Sequence, residues 1–200
     1  MGPHRESLLE MARALGANTF VETGTYKGKT TRWAASEFEK VHTVERAKPF
    51  YDRYHQELEQ LGNITTHFGD SREKLPVILD ALSGEPAVYW LDSHWMGGVT
   101  AGEDDECPLM DELSVLSAHT NNIIMIDDAR YFLCAPPSFH DAKHWPTMFD
   151  IASMYQSVFD DVFVQVFHDI IFIVPKKEAI VEIVSRHARN HADALLKKTA

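Results

Sequence analysis

Two hundred residues, of which 44% are hydrophobic and 24% charged, predict one soluble domain with enough chain for a sizeable core. The net charge of −11 argues against any partner bound by neutralising phosphates, so nucleic acid and an anionic membrane surface are excluded as partners. No apolar run approaches a membrane span and the N-terminus has no apolar signal core, so a cytoplasmic protein without membrane contact is expected. Cys107 and Cys134 form no C-x-x-C pair; they read as two thiols in a reducing compartment, with a bridge between them left open.

Glu6 to Leu15 reads as a leading helix stopped by Gly16. The β-type run Thr19-Phe20-Val21 then ends in an acid, Glu22, followed by Gly24, Gly28 and a helical run over 29–38. A strand, a glycine turn and a helix in that order mark the place where open α/β sheets hold a nucleotide-like ligand. The pattern E-x-G-x-x-x-G-x-T lacks the close glycine pair of the dinucleotide fingerprint, which points to an adenosine compound without a diphosphate. The next strand run, 40–45, ends at Glu45, placed to accept hydrogen bonds from ribose hydroxyls. After a helical run over 48–61, the strand run 64–68 is followed by Gly69-Asp70-Ser71. Glu22, Glu45 and Asp70 then share one sheet edge, which suits a ligand carrying an ammonium and a sulfonium better than one carrying phosphates.

The alternation continues with helical runs at 71–82, 108–118 and 147–157 and strand runs at 87–92, 121–127, 161–167 and 170–175. Alternation of this kind predicts parallel strands covered by helices. Only His168-Asp169 separates the last two strand runs, too short for a parallel crossover, so they form an antiparallel hairpin. The expected fold is therefore a Rossmann-like α/β sheet of seven strands, mostly parallel, closed by a C-terminal hairpin, with helices on both faces. A charged amphipathic helix over about 177–197 finishes the single domain. Two long connections, 93–107 and 129–146, start at C-terminal strand ends and read as substrate walls.

These motifs resemble, in order, those of the class I S-adenosylmethionine-dependent methyltransferases, over residues 18 to 175. Glu22-Thr-Gly-Thr-Tyr-Lys-Gly28 is similar to the first motif of that family, which wraps the methionine part. Glu45 matches its ribose-binding acid, Gly69-Asp70-Ser71 its adenine-contacting segment, and Tyr89-Trp90-Leu91-Asp92 its fourth-strand motif. The resemblance implies S-adenosylmethionine as cofactor, held by Glu22, Thr23, Gly24, Thr25, Tyr26, Gly28, Thr30, Thr31, Glu45, Arg46, Gly69, Asp70, Ser71 and Asp92. By analogy with the family, the terminal helices would support a homodimer.

Asp92 ends the fourth strand run, and Asp127 and Asp128 end the fifth. Neighbouring strands lie about 5 Å apart, so three carboxylates converge beside the expected methyl donor. Hard oxygen ligands of this kind suit Mg²⁺, which would hold a substrate hydroxyl and lower its pKa. Some sugar and natural-product O-methyltransferases carry acids at these strand ends. The competing account is that Asp92 and Asp128 cap the adjoining loops or helices, or pair with Arg130. His94, two residues past Asp92, is placed to act as general base, as a metal ligand, or as a backbone partner. The acids of Gly102-Glu-Asp-Asp-Glu106 read as a solvated loop, or as an attractor for a cationic substrate or a second metal site; His140 and His144 read as solvated loop side chains within reach of substrate; Trp90, Trp95, Tyr131, Phe132 and Trp145 read as an apolar lid, with core packing an equal account of Trp90.

The expected function is methyl transfer from S-adenosylmethionine to a hydroxyl of a small-molecule acceptor such as a sugar or secondary metabolite, with His94 and Asp92 as the catalytic pair. The fourth strand is followed by Leu91-Asp-Ser-His94, not by an Asn-Pro-Pro-Tyr-like segment, which disfavours nucleobase and glutamine nitrogens. The alternatives are a non-catalytic nucleoside-binding protein and an N-methyltransferase for a small amine. A nicotinamide-dependent reductase and a metal-dependent hydrolase explain fewer of the motifs.

Overall fold

A computed structural model describes residues 2–98 and 100–199. The elements follow the expected alternation: α1 (Arg5–Leu15), β1 (Thr19–Thr23), α2 (Lys29–Glu37), β2 (Lys40–Glu45), α3 (Lys48–Glu59), β3 (Ile64–Phe68), α4 (Ser71–Leu82), β4 (Ala87–Leu91), α5 (Leu109–Leu116), β5 (Ile123–Ile126), α6 (Arg130–Leu133), α7 (Met148–Met154), β6 (Val162–Phe167), β7 (Ile170–Pro175) and α8 (Glu178–Thr199). One sheet takes the strand order β3-β2-β1-β4-β5-β7-β6, with β7 antiparallel to both of its neighbours.

Strand periodicity divides the core into two layers. Tyr89 and Leu91, Ile124 and Ile126, and Ile171 and Ile173 face one side, where α4, α5 and α7 bury Leu75, Ile78, Leu113 and Ile151. Val88 and Trp90, Ile123 and Met125, and Phe172 and Val174 face the other, against Leu8 and Met11 of α1, Ala34 of α2, Leu58 of α3 and Val184 of α8. Because β1, β4, β5 and β7 are covered on both faces, they read as near-continuous apolar runs. Of the two accounts of Trp90, core packing holds: it lies in the layer on the far face, whereas Trp145 lies on the other.

The hairpin turn sits on two left-handed residues, His168 (φ 51°) and Asp169 (φ 61°), the combination that matches the twist of a two-residue hairpin. Its tip reaches back to the strand edge. The Asp169 carbonyl accepts from the Ala129 N–H at 2.9 Å, and its Oδ1 accepts from the Arg130 N–H at 2.8 Å. This anchor starts α6, a single turn inside the second long connection that no sequence periodicity could announce, because four residues are too few to show a period of 3.6.

Candidate active site at the strand edge

A cavity of about 500 Å³ opens at the C-terminal ends of the parallel strands, across the β1–β4 boundary where the crossovers diverge. Open α/β sheets bind ligands at this switch point. On the β1–β3 side it is lined by Gly24, Tyr26, Glu45, Arg46, Gly69, Asp70 and Ser71, with Phe50 of α3 beside Tyr26. Gly24 has φ 87°, and a Cβ placed there would overlap the Asp92 carbonyl. Only glycine lets the turn after β1 pass so close to the end of β4. Glu45 binds backbone with both oxygens: Oε2 accepts from the Tyr26 N–H at 2.7 Å and Oε1 from the Ala47 N–H at 2.6 Å. Burial raises its carboxyl pKa, opposed by those N–H groups.

The remaining residues of the first motif stand behind the cavity rather than in it. Glu22 is buried, and its Oε2 accepts from Thr31 Oγ1 at 2.5 Å and Thr43 Oγ1 at 2.7 Å. Burial pushes its carboxyl up to about 8, against the pull of the two hydroxyls. Thr25 Oγ1 lies 2.6 Å from Thr43 Oγ1, and the Thr23 carbonyl accepts from the Asp92 N–H at 3.1 Å. Gly28 (φ 66°) begins α2, whose first turn holds Thr30 and Thr31; none of these lines the cavity. Together they tie β1, β2, β4 and α2 into a fixed cradle. Asp70 lines the wall but is largely engaged: it caps α4 through the Arg72 N–H (3.0 Å) and receives the Arg72 guanidinium at 2.9 and 2.8 Å. That pairing holds its carboxyl below the usual carboxylate range. Arg46 Nε lies 3.5 Å from Asp70 Oδ2.

On the β4–β5 side, Asp92, His94, Asp127 and Asp128 all line the cavity. His94 is buried, with Nε2 at 2.9 Å from Asp128 Oδ2 and 4.0 Å from Asp92 Oδ1. Burial lowers the pKa of its imidazole, but the Asp128 bond and the charges of Asp92, Asp128 and Asp127 outweigh it, and the net shift is upward. Asp128 shifts the opposite way: burial raises its carboxyl, His94 and Arg130 lower it, and the net shift is downward. The opposite shifts both favour a charge-assisted contact between the ring and the carboxylate. Burial, with Asp127 and Asp128 nearby, pushes Asp92 up to about 7, although the His94 charge lowers it. A third of the Asp92 side chain (34%) is open to the cavity, so water reduces the burial part of that shift while the like charges keep its direction.

Structural comparison places this architecture. The O-methyltransferase TomG from Streptomyces achromogenes, involved in tomaymycin synthesis and solved with S-adenosylmethionine, superposes with a TM-score of 0.53 at 16% identity, covering 86% of this chain and 80% of that one. Human methyltransferase-like protein 13, solved with S-adenosylhomocysteine, superposes with a TM-score of 0.54 at 14% identity, covering 92% of this chain and 88% of that one. The chain has the class I S-adenosylmethionine-dependent methyltransferase fold. No protein-family model and no curated protein matches its sequence.

On this methyltransferase fold the two long connections are stapled together. Glu106, expected in a solvated run, is 3% exposed and accepts from the Asp141 N–H (2.9 Å) and Trp145 Nε1 (2.7 Å), with His140 Nδ1 at 2.7 Å. Burial raises its carboxyl, but these bonds outweigh it and the net shift is downward. His140 is correspondingly buried rather than solvated. Asp105 pairs with Arg72, joining the first connection to α4. Trp145 packs at 5.3 Å from both the His94 and Tyr131 rings, so the apolar wall forms from Tyr131, Phe132 and Trp145. Sequence reasoning passed over Phe50, Met96, Thr100 and Pro108, which also line the cavity; their signal was only their position after a strand end. Cys107 is buried, its thiol pushed up to about 12 by burial, and Cys134 is exposed; both are free.

The acids fit a resident cation poorly as arranged. Among the described residues, Asp92, Asp127 and Asp128 do not form a group whose ligand oxygens all lie within 4.8 Å of one another. Asp128 already faces two cationic side chains, His94 on Oδ2 and Arg130 on Oδ1 at 2.8 Å. The Arg130 pairing is the account that competed with metal binding at the sequence level. No helix among the described residues is long and apolar enough to cross a membrane.

Proposed function

We propose that this protein transfers the methyl group of S-adenosylmethionine to a hydroxyl of a small polar molecule. One observation carries the reading. A single cavity is lined by Glu45 and the Gly24 turn, which abuts the end of β4, and by Asp92 with the His94–Asp128 pair beyond it. Glu45 keeps lone pairs for ribose hydroxyls after accepting its two backbone bonds. Gly24, Asp70 and Asp92 border the space for the rest of the donor, and Tyr26 and Phe50 (4.6 Å apart) form its apolar lip.

The reaction is an in-line displacement: the acceptor oxygen bonds the methyl carbon, the sulfur–methyl bond breaks, and S-adenosylhomocysteine leaves with the electron pair. The donor is already activated, so positioning supplies much of the acceleration. The acceptor's proton passes to Asp92, whose pKa of about 7 matches a base working near neutrality. His94 and Asp128 position that base, the imidazolium facing Asp92 and stabilising its charged form before the proton arrives. Tyr131 and Trp145 limit water at this end.

The test is calorimetric titration with S-adenosylhomocysteine, followed by labelled methyl transfer to a panel of polyhydroxylated small molecules. Micromolar binding, weakened at least about tenfold in Glu45→Ala (the loss of one charged hydrogen-bond acceptor), is expected. Absence of binding in the wild type would end the proposal. Transfer that a chelator abolishes and Mg²⁺ restores would return Asp92, Asp127 and Asp128 to the role of metal ligands. Transfer to small amines but not to hydroxyls would make it an N-methyltransferase.

A further inference from the structure

A second cluster of polar side chains lies where the N-terminal segment, α8 and the β6–β7 turn meet, and none of its members lines the cavity. His4 precedes α1, Glu6 lies in its first turn, and His187 lies on α8. One ligand atom from each of the three lies within 4.8 Å of the others, the only such group of three among the described residues. Two more imidazoles adjoin it: His168 stacks on His4 at 4.4 Å, and His191 lies 4.0 Å from His168.

We propose that His4, Glu6 and His187 form a binding site for a divalent transition metal of the zinc class. Two imidazoles and a carboxylate are a ligand set that suits zinc, with water in the fourth position. A metal-bound imidazole ordinarily gives its second nitrogen to a hydrogen-bond partner, and such partners stand beside both rings. His4 Nδ1 lies 2.9 Å from Ser7 Oγ. His187 Nε2 lies 3.4 Å from Glu10 Oε1, and Glu10 is itself held by Arg186. His187 is 5% exposed, so packing and the contact with Glu10 fix the orientation of its ring. The site joins positions 4 and 187 of the chain, so the ion acts as a clasp between α1 and α8.

The test is titration of zinc chloride into the full-length chain after dialysis against a chelator. One equivalent is expected to bind with micromolar or tighter affinity, to raise Tm by roughly 5 °C at saturation, and to give visible absorption bands when Co²⁺ replaces it. His4→Ala and Glu6→Gln should each weaken binding at least about tenfold, whereas Asp92→Asn should leave it unchanged. His187→Ala should abolish binding but removes a buried ring; His4, half-buried and outside the helix, keeps the test decidable. No binding by the wild type, equal affinity in His4→Ala and Glu6→Gln, or loss in Asp92→Asn would each overturn the proposal.

Discussion

On the donor side of the cavity, the carboxylates at the ends of β1 and β2 are bound by backbone N–H groups and hydroxyls from neighbouring βα units, Glu45 by Tyr26 and Ala47 and Glu22 by Thr31 and Thr43, and only Asp70 pairs with a cation, Arg72. On the acceptor side, charged side chains are bound by other charged side chains from distant segments, as in His94 with Asp128 and Arg130 with Asp128 and Asp169. The first kind of bond is fixed once a strand, a turn and a helix form. The second exists only after the loops have folded over the sheet, and it sets protonation states as well as positions. The donor side should therefore fail all at once when its backbone is disturbed, and the acceptor side should be tunable by single charges.

The largest effect should come from Gly24→Ala. A Cβ meeting the Asp92 carbonyl at a positive φ is expected to cost about 2 kcal/mol or more in urea unfolding and to remove measurable S-adenosylhomocysteine binding. An unchanged affinity would mean that the turn has room to move and that the cradle is not rigid.

Asp92→Asn should come next, and it separates the two sides. Removing the base is expected to lower kcat by about 10²–10⁴-fold while donor affinity changes far less. In the wild type kcat should rise with pH through about 7, the value to which burial and the neighbouring acids push Asp92, because the carboxyl must be deprotonated to accept the proton. A flat profile would assign the base elsewhere. His94→Asn removes the facing positive charge and should move this pH midpoint upward, an effect that a purely structural histidine would not produce.

A smaller, local effect is expected from Glu106→Gln. The staple loses its charge and the acceptance of part of its bonds, about 1–3 kcal/mol, which should appear as faster amide exchange across 93–107 and 129–146. Acceptor KM should rise and donor affinity stay constant. Equal loosening around Glu45 would show that the two sides are mechanically coupled.

Glu22→Gln should be the mildest near neutral pH. The Glu22 carboxyl is raised from 4.5 to about 8, so the folded state binds an extra proton across that window and stability falls as pH rises through it, by up to about 1.4 kcal/mol per unit. Glutamine keeps the shape and one acceptor oxygen and should flatten that slope in denaturant titrations at pH 5 and pH 8. A slope that survives the substitution would belong to other groups, such as Asp92 with its raised pKa.

The donor side was legible from the sequence because its signals are local: acids at the ends of apolar runs, glycines where a turn needs positive φ, and helical periodicity behind them. Gly24 was recognisable as a turn glycine, though not that the Asp92 carbonyl is what excludes a side chain there. His94, Asp92 and Asp128 could be placed at one edge from strand order alone. Glu106 and His140 could not be paired, since they lie 34 residues apart in connections without periodicity. Glu22 shows the same limit from the other direction. Its motif did not announce that Oε2 accepts from Thr31 and Thr43.

The chain's own pattern determined the seven-stranded sheet, the closing hairpin and the edge at which a ligand enters, because hydrophobic periods of 2 and 3.6 and a two-residue turn leave few other arrangements. Only the tertiary structure decided which carboxylates face the cavity, which are satisfied behind it, and in which direction each pKa moves. Those outcomes depend on burial and on partners brought within 3 to 4 Å by segments far apart in sequence, where desolvation and Coulomb terms outweigh any preference a single residue carries.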